Sequence, residues 1–344
     1  MHGDHERTAI ILHDALPMER ALEIARKADE KGFWAVFMIE EAGYDTQVTL
    51  GAMALVTRRA RLGSSISSIY TRSAPIYAMS ANTLNTLSHG RAILGLGTSP
   101  PYFVKHWHSM EFERPVSRIK DYVRIVRGIL AGGEKMRYEG RAVHCRDFQL
   151  AVAPPSQPIP LYVGAIGPQM IAAAGEVADG VLLSPLVSEE YLAYAVEHVQ
   201  QGAARAGRDW REVEIAAPVI TTVAPDPRRA LEHARSMVAY FAVVYYYDPL
   251  FTISGYKALG EEIRRTNKER GWLAAREVVT DEFVRKFSVV GTPDECRQRL
   301  RELRAAGLTL PVLNAPGPRR IFGQPLRVPV HEWEHSEAIV EYLP

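Results

Sequence analysis

Two adjacent carboxylates, Glu40 and Glu41, close the apolar run Ala35-Val36-Phe37-Met38-Ile39. A carboxylate at the end of a buried strand can hold or move a proton. Strand alternation sends one of the pair toward the interior and the other away, so one is expected to face a site. Glu41 is the candidate acid or base if burial raises its pKa toward neutrality; as an exposed group it would only shape the field. His13-Asp14 follow the run Ala9-Ile10-Ile11-Leu12 in the same way, while His106 and His108 flank Trp107. Two histidines so placed, without a carboxylate cluster, make a poor metal site, and no metal is expected. His108 is instead a candidate to cover a ligand and donate a proton, and Arg72 to pair with an acidic substrate or a rim carboxylate.

A second group of residues is notable for being small. Gly63-Ser64-Ser65-Ile66-Ser67-Ser68 ends an apolar run where a core would favour branched side chains, which leaves room for a ligand. Gly95-Leu96-Gly97-Thr98-Ser99 lacks the lysine of a phosphate-binding P-loop and the third glycine of a dinucleotide fingerprint. Its glycines could let backbone approach a flat ring, with Thr98 and Ser99 offering hydroxyls; a plain tight turn is the alternative. Ala165-Ile166-Gly167-Pro168-Gln169-Met170 joins a strand to a helix start, whose free N–H groups suit an anion. Ser184, at the end of the next apolar run, is placed to assist.

The elements that must hold these residues alternate between short β-rich runs and amphipathic segments, as in a parallel sheet wrapped by helices. Strands are expected at residues 9–12, 35–39, 62–67, 92–95, 161–164, 181–183, 213–223 and 310–313. Helices are expected at 17–31, 48–57, 74–87, 117–130, 169–177, 188–206 and 292–306, and a small hairpin between 136 and 150. The pattern fits an α/β fold, a (β/α)8 barrel over 1–344 as one domain, with insertions near 99–116, 132–160 and 240–285. A doubly wound open sheet is the alternative, because alternation does not distinguish closure from an open edge. In such a barrel the reactive groups occupy the C-terminal strand ends, which is where the carboxylates, serines and glycines named above fall.

Six segments in order resemble the luciferase-like monooxygenase superfamily, especially its F420-dependent branch, to which methylenetetrahydromethanopterin reductase belongs. They are Lys31 to Val36, Thr57 to Gly63, Ser88 to Thr98, Ala165 to Pro168, Ala178-Asp179-Gly180 and Gly291 to Glu295. The resemblance implies a bacterial luciferase-like barrel, a homodimer, and a strand-three bulge whose non-prolyl cis peptide, here Ser65–Ile66, backs the central ring of a deazaflavin. It places Glu40 and Ser68 at cofactor-contacting positions. Glu41 falls where the family's sugar-phosphate dehydrogenase has a catalytic histidine, and Pro100 where that enzyme has an acidic donor, so its acid/base scheme does not transfer.

The reading is hydride transfer between F420 and a small organic substrate, with Ile166, Gly167, Gln169, Met170 and Ser184 on the cofactor's phosphate side. Alternatives are an FMN-dependent monooxygenase using reduced flavin and oxygen, and a barrel that binds the ring without turnover. A net charge of +1 offers no global field for nucleic acid or an anionic membrane. Cys145 and Cys296 lack metal or disulfide spacing, and the start Met1 to Arg7 is no export signal, so a cytoplasmic protein is expected.

Overall fold

The computed structural model describes residues 7–244, 247–316, 320–321, 324–325 and 332–344. Most of the amino-terminal segment, Met1 to Glu6, and two tyrosines of the aromatic run, Tyr245 and Tyr246, lie outside them. Eight parallel strands form the centre: β1 Ala9–Leu12, β2 Ala35–Met38, β3 Arg61–Ser64, β4 Ala92–Gly97, β5 Leu161–Gly164, β6 Gly180–Leu182, β7 Glu214–Val223 and β8 Leu310–Asn314. Each pairs with the next; β8 pairs with β1 and β6 with β7, which closes the ring. The sheet is therefore a barrel, and the open-sheet alternative is excluded.

Local sequence explains the helix starts. Asp45 caps Thr46–Val56 by accepting the Val48 N–H at 3.0 Å. Ser188 caps Glu189–Arg205 through Tyr191 N–H at 3.1 Å, and Thr292 with Glu295 forms a reciprocal capping box before Pro293–Ala305. Such caps satisfy donors that the helix itself leaves free. Gly32 ends Met18–Lys31 at φ 91°, a left-handed conformation that a side chain disfavours.

Two apolar layers result. Ile11, Phe37, Ile93, Tyr162, Leu182 and Val312 belong to a cluster inside the barrel, while a larger one lies between strands and helices. The interior cluster fills the barrel below its mouth, as alternating inward residues of parallel strands should.

Several expectations needed revision beyond residue 220. Helix Pro227–Val243 runs straight through Tyr240, where an insertion was expected to begin. Four further helices follow: Asp248–Ile253, Lys257–Arg270, Trp272–Val278 and Asp281–Lys286. Val289–Gly291 is an unforeseen strand that pairs with the outer end of β7, Thr221 to Val223. A helix at Glu332–Tyr342 packs against Met18–Lys31 and β7, also without a sequence-level forecast. The expected hairpin is present as Met136–Glu139 with His144–Phe148.

That last helix carries a titratable group in its contact. His335 is 9% exposed, meets His233 edge-on at 4.6 Å, and buries Nε2 without a partner among the described residues. Burial, with the positive charge near His233 and Arg229, brings its pKa down to about 4. The folded chain thus binds this proton less readily than the unfolded one, whose histidine titrates near 6.5. The stability retained above pH 6.5 is lost as pH falls toward about 4, by up to about 3 kcal/mol. Thermal melts between pH 7 and 4 should show this loss in the wild type and a shallower one in His335→Leu; identical slopes would refute it.

Candidate active site

A cavity of ≈ 500 Å³ opens at the C-terminal mouth of the barrel. Its shape begins in β3. From Leu62 to Ser67 this strand advances five residues while β4, from Ala92 to Leu96, advances four. One extra residue is therefore held at Ser65 and Ile66, a β-bulge that turns side chains toward the mouth. The Ser65–Ile66 peptide bond is cis.

The glycines of β4 and β5 accommodate this bulge. A Cβ on Gly95 would lie 2.0 Å from the Ser64 carbonyl oxygen, and one on Gly97 would lie 2.5 Å from Ile66 Cδ1. A Cβ on Gly164 would also crowd Ile66, at 3.0 Å. Gly97 lines the cavity, whereas Gly95 does not. The freed space is taken by β3, and Ile66, seated over Gly97 and Gly164, is what faces the cavity. Ser64 locks the arrangement by donating to the Gly95 carbonyl at 2.8 Å while accepting its N–H at 3.2 Å.

Both Glu40 and Glu41 line the cavity. The alternation argument, which sent only one inward, fails because β2 stops at Met38 and the chain curls immediately after it. The curl is held by buried Asp14, whose carboxylate accepts the N–H of Glu41 at 2.7 Å and of Gly43 at 2.9 Å. A Cβ at Gly43 would meet the Asp14 carbonyl oxygen at 2.2 Å, so this close approach requires glycine.

The two carboxylates are chemically unlike. Glu40 accepts from Arg72 through both oxygens at 3.0 Å and from the Ser67 hydroxyl at 2.7 Å. Arg72 also pairs with Asp45. Burial works to lower the Arg72 pKa, but the charge of Glu40, with Tyr77 and Asp45, holds it above its ordinary value, so it is a permanent cation. Glu41, half-buried, makes no side-chain hydrogen bond or ion pair among the described residues. A carboxylate facing a cavity without a counterion is free to exchange a proton with a bound molecule.

Ser65, Ile66, Ser68, Gly97, Thr98 and Ser99 lie on one side of the cavity. Ser68 is largely occupied by structure: its hydroxyl accepts the Tyr70 N–H and its carbonyl accepts from Thr71 and Tyr77. Ile166, Gly167 and Met170 continue the wall where helix Pro168–Val177 begins. No side chain caps that helix start, and Pro168 has no N–H, so the N–H groups of Gln169 and Met170 remain for an anion. The Gln169 side chain is exposed and outside the cavity lining, which leaves only its backbone as a contact. Buried Tyr191 fixes this segment by donating to the Ile166 carbonyl at 2.9 Å. Ser184 lines the cavity, fully buried, its oxygen accepting Leu186 N–H at 3.2 Å.

Aromatic side chains cover the opening. Phe103 and Trp107 stack at 4.0 Å, and Phe112 stacks on Tyr70 at 5.4 Å, tying this covering loop to the chain beyond the β3 bulge. His108 lines the rim but is exposed, whereas His106 stacks on Tyr102 outside the lining. Tyr240, Phe241 and Tyr247 complete the cover. His13 is buried, with Nε2 at 3.1 Å from the Ala315 carbonyl, and does not line the cavity. No group of three or more metal-ligating side chains occurs among the described residues.

Sequence reasoning missed Asp14 as the organiser of the Glu40–Glu41 loop, and Asn314. The strand-tip rule, extended one residue past the apolar run ending at Leu313, would have reached Asn314.

A parallel eight-stranded barrel with a cavity at its C-terminal mouth defines the class of protein. The chain belongs to the luciferase-like monooxygenase family, whose model matches residues 4–310. It is 32% identical over 308 residues to the 5,10-methylenetetrahydromethanopterin reductase of Methanolobus tindarius, across 88% of this chain and 93% of that one. A reductase of the same name from Archaeoglobus fulgidus is 30% identical over 297 residues, across 82% and 88%. The structure of the coenzyme F420-dependent tetrahydromethanopterin reductase from Methanopyrus kandleri superposes with a TM-score of 0.84 at 25% identity, covering 99% of this chain and 98% of that one.

Arg72 is the one cation bonded to Glu40 among the described residues, and their side chains are 21% and 18% exposed. Arg72→Leu should therefore lower unfolding stability by about 1–3 kcal/mol in urea, less than for a fully buried pair. Adding Glu40→Gln should recover part of that loss; a strictly additive double variant would show that the pair is not coupled.

Proposed function

We propose that this chain is an F420-dependent oxidoreductase that transfers hydride between the deazaflavin and a small organic substrate. The observation that carries the reading is the β3 bulge, which presents Ile66 as a platform beside the Gly97–Ser99 turn, with an uncapped helix start lining the same cavity. A planar ring with an anionic tail needs both. The Methanopyrus kandleri relative is a coenzyme F420-dependent reductase, which supports the same cofactor here.

When bound, the deazaflavin would supply a hydride at its central ring carbon, the position that replaces flavin N5. The chain supplies the rest. Ile66 and Ser65 would back the ring, Thr98 and Ser99 would offer hydroxyls to its edge, and the Gln169 and Met170 N–H groups would receive the phosphate side. Glu40, neutralised by Arg72, would hold the ring edge without adding free charge. Glu41 would exchange the proton that accompanies hydride, with His108 at the rim as a second donor. The aromatic cover would exclude water, so that transfer competes with no hydrolytic or solvent exchange step.

In the same reading, residues 1–344 form one domain, the chain is cytoplasmic, and two copies associate. Exposed Val48, Leu55, Ile76 and Met79 on the adjacent helices Thr46–Val56 and Ala74–Leu87 support the association. Both free cysteines are buried and burial raises their pKa, which suits a reducing compartment without requiring one.

Titration of the purified chain with F420 and with FMN, followed by fluorescence, tests the cofactor. F420 should bind at least about tenfold more tightly. Ser65→Trp should abolish binding of F420 while the circular dichroism spectrum is retained. With a turnover substrate found in a panel of carbonyl compounds, Glu41→Gln should keep F420 affinity and lose roughly 10²- to 10⁴-fold in kcat. Preference for FMN with oxygen consumption would favour the monooxygenase alternative; binding without turnover of any carbonyl would favour a carrier.

A further inference from the structure

Asn314 ends β8, in register with Ile11 on one neighbouring strand and Ile220 on the other. Leu310 and Val312, four and two positions earlier, point into the barrel interior, so Asn314 belongs to the same inward row. It lines the cavity at 3% exposure. Its Oδ1 is buried with no hydrogen-bond partner, and its amide makes no hydrogen bond among the described residues.

The surroundings make this unusual. Ile11 and Pro218 on the flanking strands, with Ile39 and Leu182, also line the cavity and are apolar. A desolvated carboxamide in such a place costs stability unless something pairs with it. None of the described residues does, so the natural partner is a molecule in the cavity.

The ring order fixes which side of that molecule. β8 lies between β7 and β1, while the bulge lies on β3 against β4, so Asn314 stands across the mouth from Ile66. On the reading proposed above, the cofactor ring rests on Ile66 and the substrate occupies its open face. We infer that Asn314 is a specificity-determining residue for the substrate, recognising a deeply inserted group that pairs an N–H donor with an adjacent carbonyl oxygen. Oδ1 accepts from the donor and Nδ2 donates to the carbonyl, the two-point match a carboxamide makes with an amide edge. A site built for such a pair discriminates strongly against an analogue that lacks the donor.

The test uses F420-loaded full-length chain and two probes, 2-quinolone and N-methyl-2-quinolone, with binding read by calorimetry. Wild type should prefer 2-quinolone by about tenfold. Asn314→Leu, close in volume, should erase that preference, retain F420 affinity, and raise the melting temperature of the ligand-free chain by removing an orphaned acceptor. Asn314→Asp should weaken both probes, because a carboxylate has no N–H to offer the carbonyl, yet keep the preference, because it still accepts the 2-quinolone N–H. A lower melting temperature for Asn314→Leu would mean that the amide is structurally satisfied and overturn the inference. So would a loss of F420 affinity, which would assign the amide to the cofactor. Equal affinity of wild type for both probes would overturn it as well. Failure of wild type to bind F420 would instead overturn the cofactor reading, so the two failures are distinguishable.

Discussion

One extra residue in one barrel strand organises the mouth of this molecule. A parallel barrel closes with regular register, and β3 breaks that register against β4 between Leu62 and Ser67. The chain cannot keep pairing and carry the surplus residue without pushing it out of the ladder. Here it is pushed toward the neighbouring strand, and the neighbour yields by having no side chains: Gly95 leaves room for the Ser64 carbonyl, Gly97 and Gly164 for Ile66. Three glycines on two strands thus answer one bulge on a third. Ile66, seated over those glycines, thereby faces the cavity in place of side chains from β4 and β5.

Charge is distributed around the cavity with similar economy. Glu40 is held by a guanidinium that also reaches Asp45, the cap of the following helix, so a cavity carboxylate and a helix start share one cation. Glu41, one residue on, is released from such pairing because Asp14 binds its backbone and leaves its carboxylate free. Adjacent residues of identical type thereby acquire different roles: one fixed and neutralised, the other open to exchange. The same logic separates His108, exposed at the rim, from His13, buried against the Ala315 carbonyl.

What was legible in the sequence followed from periodicity and punctuation. The first six strands and their helices carry strong apolar runs bounded by caps such as Asp45, Ser188 and Thr292, and these were placed within a residue or two. The residues at their C-terminal ends follow from the barrel rule, which is why Glu41, Ser65, Thr98 and Ile166 could be named as cavity candidates. Beyond residue 220 the signal weakens: Val289-Val290-Gly291 is too short to read as a strand, and helix Pro227–Val243 merges with an aromatic run that masks its end. Gln169 could be named because a helix start offers its backbone N–H, although its side chain turns to solvent. The reason for Gly95 and Gly97 was also illegible, since it depends on a neighbouring strand far away in the chain. Asn314 illustrates the converse: its position was within reach, but an unpaired amide is a property of packing that only coordinates reveal.

The most direct measurement is a crystal structure of the chain with F420 bound. The account predicts the deazaflavin ring lying flat on Ile66, beside Thr98 and Ser99, with the first phosphate at the N–H groups of Gln169 and Met170. A ring seated elsewhere, or a phosphate held away from that helix start, would contradict it.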